Sequence, residues 1–295
     1  PAGAISRAGA AYLDRTTTGR TRWSSVTASR RVPRAELGWA MGFVVTVLRR
    51  PLMILTRRDW RGAVNLPATG GCVVAVNHVS EVDPMPFAHF LFDNGRIPRF
   101  LGKAEVFKVP IAGRILTSAG QIPVYRLSDD ATQAFSAAVA AVERGECVVV
   151  YPEGTLSRDP EMWPMTGKSG AARIALTTQC PVIPCAQWGP QEILAPYARR
   201  PRLVPRKVMR ITAGPPVDLD DLQGKEITTQ LLAIATERIM AAITALLEEI
   251  RGEQAPAKRF DPRTAGVSEI GNPNKPRKYP PREPRHRADP DGGPA

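Results

Sequence analysis

The sequence predicts an α/β fold, a mostly parallel or mixed sheet flanked by helices. Short β-branched runs at 72–76, 147–151, 181–186 and 208–212 alternate with helical stretches at 84–92, 129–144, 168–179 and 226–250. Helix punctuation agrees with that spacing. Asp83-Pro84 reads as an N-cap and N1 pair, and Ser128-Asp129-Asp130 caps a helix that Gly145 ends. At 295 residues the chain is long enough for one sizeable core plus appendages.

Taken in order, residues 1–34 hold seven Arg and one Asp and read as a basic, disordered start. Residues 35–60 are apolar with interruptions. Leu37–Leu48 gives about three helical turns, Arg49-Arg50-Pro51 breaks it, and Leu52-Met53-Ile54-Leu55 follows. Neither run reaches the roughly 20 residues of a spanning helix. They read as two short amphipathic helices lying in a membrane interface, with Arg at the headgroups and Trp39 and Trp60 as anchors. The apolar run begins too late for a secretory signal and lacks its cleavage site. Residues 61–250 form the folded domain. Residues 251–295, with nine prolines and little apolar material, read as a disordered tail.

Charge follows the same division. The formal net charge is +12, of which the first 34 residues hold +6 and the last 45 hold +4, leaving +2 for residues 35–250. Basic ends around a near-neutral domain suit an anionic membrane surface. They argue against a nucleic-acid module, which would concentrate its charge on a structured face. The four cysteines, Cys72, Cys147, Cys180 and Cys185, form no Cys-x-x-Cys pair and read as buried reduced thiols; no metal site is expected.

The chemistry-bearing stretch is Asn77-His78-Val79-Ser80-Glu81-Val82-Asp83, directly after the first strand. Of the three histidines, His286 lies in the tail and His89 sits inside an apolar run as a packing residue. His78 is left as the general base. An acid five residues on can hold its other ring nitrogen. In a regular helix the two side chains would sit about 140° apart, so the pair needs a turn. Asp83 read only as a helix cap is the plainer alternative. Ser80 reads as a polar loop residue, not as a nucleophile.

Three further blocks follow: Gly102–Gly113 running on to Gly120–Arg126, then Tyr151–Arg158, then Pro181–Gly189. With the His-x4-Asp element they resemble, in order and spacing, the four motifs of the glycerolipid acyltransferases related to 1-acyl-sn-glycerol-3-phosphate acyltransferase. The resemblance covers about residues 60 to 220. It implies the glycerolipid acyltransferase fold and a His78–Asp83 dyad that deprotonates a glycerol hydroxyl. It also implies acceptor-binding roles for Lys103, Arg126, Glu153, Gly154 and Thr155. One position departs: the family's Pro-Glu-Gly-Thr-Arg becomes Pro-Glu-Gly-Thr-Leu156 here, and Arg158 is the nearest replacement charge. Lys168 is a weaker candidate, and Glu105 and Lys108 read as surface charge. The third block is not the Gly-x-Ser-x-Gly elbow of hydrolases, so no acyl-enzyme is needed.

The implied activity is acyl transfer from acyl-CoA or acyl carrier protein to a lysophosphatidic acid-type acceptor. No cofactor beyond that co-substrate is implied. The expected location is the cytoplasmic side of the cell membrane, peripheral or monotopic. Glycerol 3-phosphate or a head-grouped lysophospholipid stays open as acceptor, and a non-catalytic lipid-binding protein is the alternative from another class.

Overall fold

Every residue of Cys72–Val76 is buried, as a strand covered on both faces requires. The computed structural model describes residues 38–124, 130–268 and Asn272. It runs α1 (Trp39–Leu55), β1 (Thr56–Arg61), β2 (Cys72–Val76), α2 (Pro84–Asp93), β3 (Pro98–Lys103), α3 (Ala104–Phe107), α4 (Ala112–Ser118) and β4 (Ile122–Val124). It continues with α5 (Asp130–Glu143), β5 (Cys147–Val150), α6 (Gly170–Thr178), β6 (Val182–Trp188), α7 (Pro190–Ile193), β7 (Lys207–Ala213) and α8 (Thr229–Arg251).

The seven strands form one sheet in the order β1-β7-β6-β2-β5-β3-β4. β6, β2, β5, β3 and β4 are mutually parallel. β7 runs antiparallel to β6, and β1 is parallel to β7. The N-terminal ends of β1 and β7 therefore lie at the same sheet edge as the C-terminal ends of the five parallel strands. Open α/β sheets bind ligands at that edge.

Alternation along the strands divides the core. Val73, Ala75, Val148, Val150 and Val182 pack against α5, α6 and α8. Cys72, Val74, Val76, Cys147, Val149 and Ile183 pack against Phe87, Phe90 and Leu91 of α2. Each fully buried side chain of this size contributes about 1.5–3 kcal/mol. Thr229–Arg251 is long and apolar enough to cross a membrane by composition, but Leu231, Leu232, Ala235, Ile239 and Ile243 are spent on this core. All four cysteines are free and buried.

Three readings need correction. The 35–60 stretch is one helix of 17 residues followed by a strand, with Pro51 inside the helix. An interior proline costs about 3 kcal/mol, but tertiary bonds hold the helix together. Arg49 makes two hydrogen bonds to Asp93, at 3.0 and 3.2 Å, and so does not reach for headgroups. Arg206 donates to the carbonyls of Met53 and Thr56 at the helix end. Asp83 stands at the N-cap position of α2 but makes no capping bond. Residues 251–268, read as the start of the tail, lie against the domain: Thr166 N donates to Phe260 O at 3.1 Å, Arg259 pairs with Glu237, and Pro262 is buried. The Ser128-Asp129 cap lies outside the described residues.

His89 is buried in a cluster that ties three elements together. Its ring meets Trp60 edge-on at 5.0 Å, and Nε2 is 3.4 Å from Asp93. Burial alone would raise the Asp93 carboxyl, but the bonds and charges of His89 and Arg49 outweigh it and hold it at about 2.

Candidate active site

β2 ends beside β6, and the two are fastened by a matched pair of buried amides. Asn77 Nδ2 donates to Gln187 O at 3.0 Å, Gln187 N donates to Asn77 Oδ1 at 2.8 Å, and Gln187 Nε2 donates to Asn77 O at 3.1 Å. Beyond this anchor the chain turns sharply, with Asp83 N donating to Ser80 O at 3.2 Å. The turn folds Asp83 back so that its Oδ2 lies 2.8 Å from His78 Nδ1. The same oxygen accepts the N–H groups of Val79 at 2.6 Å and Ser80 at 2.9 Å. Pro84 then starts α2. Asp83 is fully buried. Burial raises its carboxyl above the usual range, opposed by the bond and charge of His78 and by the Ser80 and Val79 N–H groups. Ser80 is buried as well, and its hydroxyl donates to Leu194 O at 2.6 Å.

The third block holds the base from the other side. The Tyr151 ring stacks on the His78 ring at 4.2 Å and 24°, and Phe100 lies parallel to Tyr151 at 6.3 Å. Glu153 Oε1 accepts His78 N at 2.9 Å and Oε2 accepts Met165 N at 3.0 Å. Ser157 N donates to His78 O at 2.7 Å. Glu153 is 2% exposed. Burial pushes its carboxyl up to about 8, although the two N–H bonds pull it down. The buried carboxyl clamps the backbone of the base through these two bonds and does not open to solvent.

Gly154 has φ +69°, and a Cβ there would meet the Lys168 side chain at 3.0–3.3 Å; the lysine lies over this turn. Thr155 Oγ1 accepts Arg158 Nη2 at 3.4 Å. Arg158 also donates to the Tyr197 hydroxyl, with its guanidinium 4.9 Å from that ring. Leu156 is buried, so apolar packing fills the place the family gives to arginine. Lys103 ends β3, half exposed and 3.7 Å from Glu105. It lies two strands from His78, about 10 Å along the edge. Arg126 lies outside the described residues.

The structure thus gathers His78, Asp83, Glu153, Gly154, Thr155 and Arg158 at the ends of β2 and β5, with Lys103 farther along. Sequence reasoning missed the Tyr151 stack, the Gln187 clasp and Tyr197. It also missed Arg263, which with Glu153, Thr155 and Lys168 lines a small cavity. Tyr151 and Gln187 fall inside the third and fourth sequence blocks, which mark their positions but not these contacts; no local pattern marks Tyr197 or Arg263.

The mixed sheet thus carries a histidine held by a fully buried aspartate at the C-terminal edge of its parallel strands. The acyltransferase family matches residues 57–188. A chloroplastic 1-acyl-sn-glycerol-3-phosphate acyltransferase of Brassica napus is 30% identical over 140 residues, 47% of this chain and 39% of that protein. The alpha form from Mus musculus is 30% identical over 173 residues, 58% of each. The chain spans about half the length of such relatives. In fold it is similar to the crystal structure of the Thermotoga maritima 1-acyl-sn-glycerophosphate acyltransferase PlsC, with a TM-score of 0.52 and 20% identity over 73% of this chain and 81% of that one. Residues 57–188 thus match the acyltransferase family model, and the chain is similar to proteins named as 1-acyl-sn-glycerol-3-phosphate acyltransferases.

Proposed function

We propose that this protein transfers an acyl chain from acyl-CoA or acyl carrier protein to the free hydroxyl of 1-acyl-glycerol 3-phosphate, giving phosphatidic acid. The observation that carries the reading is the 2.8 Å contact of His78 Nδ1 with a fully buried Asp83. With Nδ1–H held by the carboxylate, Nε2 has its lone pair free to accept a proton. As the acceptor hydroxyl attacks the thioester carbonyl, its proton passes to Nε2, and Asp83 stabilises the imidazolium. The tetrahedral intermediate collapses to the ester, and the departing thiolate takes the proton from Nε2. The acceptor phosphate is met by Arg158 and Lys103, with Glu153, Gly154 and Thr155 shaping the loop between them.

We place the protein at the cytoplasmic face of the cell membrane, held there by α1. Trp39, Phe43, Val47 and Ile54 are exposed along that helix, with a spacing of four, four and seven residues that puts them on one side. A second acceptor reading is favoured by one observation: Leu156 is buried where the family has arginine. Glycerol 3-phosphate or a head-grouped lysophospholipid would then replace lysophosphatidic acid. An acceptor panel with one labelled acyl-CoA tests both. The highest kcat/KM is expected for lysophosphatidic acid, and a preference for either other acceptor overturns the first reading.

A further inference from the structure

Between α7 and β7 the chain forms an open cleft of about 520 Å³, with Ile193, Ala198 and Pro201 in its walls beside Arg199, Arg200 and Arg202. Glu192 is the wall's single carboxylate. None of the three arginines has an acidic partner among the described residues, and all are exposed. Guanidinium groups suit phosphate oxygens, which they can bind two at a time.

The cleft's position says which phosphates. Leu203 and Val204, 40% and 85% exposed, follow the arginines directly. Arg206 then ties this loop to the end of α1 through the carbonyls of Met53 and Thr56, and Thr56 pairs with Lys207 in the sheet. Met53 and Ile54 at the exposed end of α1, and Leu203 and Val204 in the loop, thus lie on either side of the Arg206 tie. All of these sit at the N-terminal ends of β1 and β7, the edge that carries His78. Ser80 Oγ to Leu194 O and Tyr197 N to Glu81 Oε1 join the same segment to the His78 turn. A row of exposed aliphatics next to unpaired arginines matches a bilayer interface, apolar below and anionic above. A nucleotide pocket has no use for Leu203 and Val204 in water.

We propose that residues 191–206 form a membrane-docking site. Arg199, Arg200 and Arg202 take the phosphates of anionic lipid headgroups, while Leu203 and Val204 enter the interface beside the end of α1. This rests on the reading of the protein as a membrane-surface enzyme and adds a second contact that fixes its orientation.

Sedimentation of the full chain with phosphatidylcholine vesicles, with and without phosphatidylglycerol, tests it. The triple variant R199Q/R200Q/R202Q should bind anionic vesicles about 100-fold more weakly, from about fivefold per arginine, and should lose the preference over neutral vesicles. The triple lysine variant should retain most of the binding. L203S/V204S, a second probe should the first fail to fold, should weaken binding to both vesicle types. Turnover of a soluble short-chain acceptor with acyl-CoA should be unchanged in all of them. Unaltered vesicle binding by folded R199Q/R200Q/R202Q and L203S/V204S overturns the proposal. If Phe43→Glu on α1 then still abolishes binding, only the loop assignment has failed; if the wild type does not bind anionic vesicles, the membrane reading itself has failed. Intact vesicle binding with a raised acyl-CoA KM overturns the proposal in favour of a site for the donor's phosphates.

Discussion

Asp83→Asn isolates the charge in the proposed dyad. Asp83 Oδ2 accepts three N–H groups, from His78, Val79 and Ser80, and an asparagine oxygen can still accept all three. What disappears is the negative charge beside the imidazolium that forms during attack. Two unit charges about 4 Å apart interact by about 4 kcal/mol at an effective dielectric of about 20. Part of that is offset by burying the carboxylate, whose cost shows in its raised proton affinity. A net loss of about 3–4 kcal/mol from the transition state is a 10²–10³-fold fall in kcat. The asparagine NH₂ would take the place of Oδ1, which is buried without a hydrogen-bond partner, at a cost of about 1–3 kcal/mol in stability. Initial rates with labelled acyl-CoA and lysophosphatidic acid, alongside thermal melts, separate the two effects. A variant with kcat within threefold of wild type but a lowered melting temperature would show that Asp83 serves only to build the turn.

Arg158→Ala and Lys103→Ala should each raise the acceptor KM about 10- to 100-fold, from the 1.5–3 kcal/mol of a charge-assisted hydrogen bond, and leave the donor KM alone; unchanged acceptor kinetics in either removes that residue from phosphate binding. Asp93, held at about 2 against 3.8 in the unfolded chain, contributes about 2 kcal/mol above pH 3.8 that is lost as the pH falls through 2. Asp93→Asn should remove that contribution, and urea melts showing no loss at pH 7 would contradict it. Glu153 has the opposite sign: raised to about 8 from 4.5, it favours the folded state at low pH and loses that contribution as the pH rises from 4.5 to 8. Against Glu153→Gln, the wild type should lose relative stability over that interval, and parallel pH curves would refute the assignment.

The β2–turn–α2 unit was legible because local residues dictate it: an apolar run, a His and an Asp five apart, and a proline that starts the helix. β1 was not legible. Thr-Arg-Arg-Asp-Trp-Arg is charged, and it becomes a strand only because β7 supplies backbone partners from a distant part of the chain. The unbroken course of α1 was hidden for a similar reason, since the Asp93 that partners Arg49 lies outside any local window. Asp-Pro reads as a cap in sequence whether or not the carboxylate caps. The fold decides between the two readings the sequence left open: the carboxylate makes no capping bond and turns back onto His78. Tyr197 and Arg158 become neighbours across 39 residues, with no pattern in either to announce it.

The clamp of Glu153 and Ser157 on the backbone of His78 has a mechanical meaning. The base is held at N–H and C=O by the segment that leaves β5, although its own chain leaves β2. It is a joint between two strands, not the tip of one loop. Thermal drift of either strand end is resisted by the other, so the imidazole moves only as far as the sheet itself shears. Substitutions along β5 that touch no substrate would register as changes in turnover, because they displace the ring that turnover depends on.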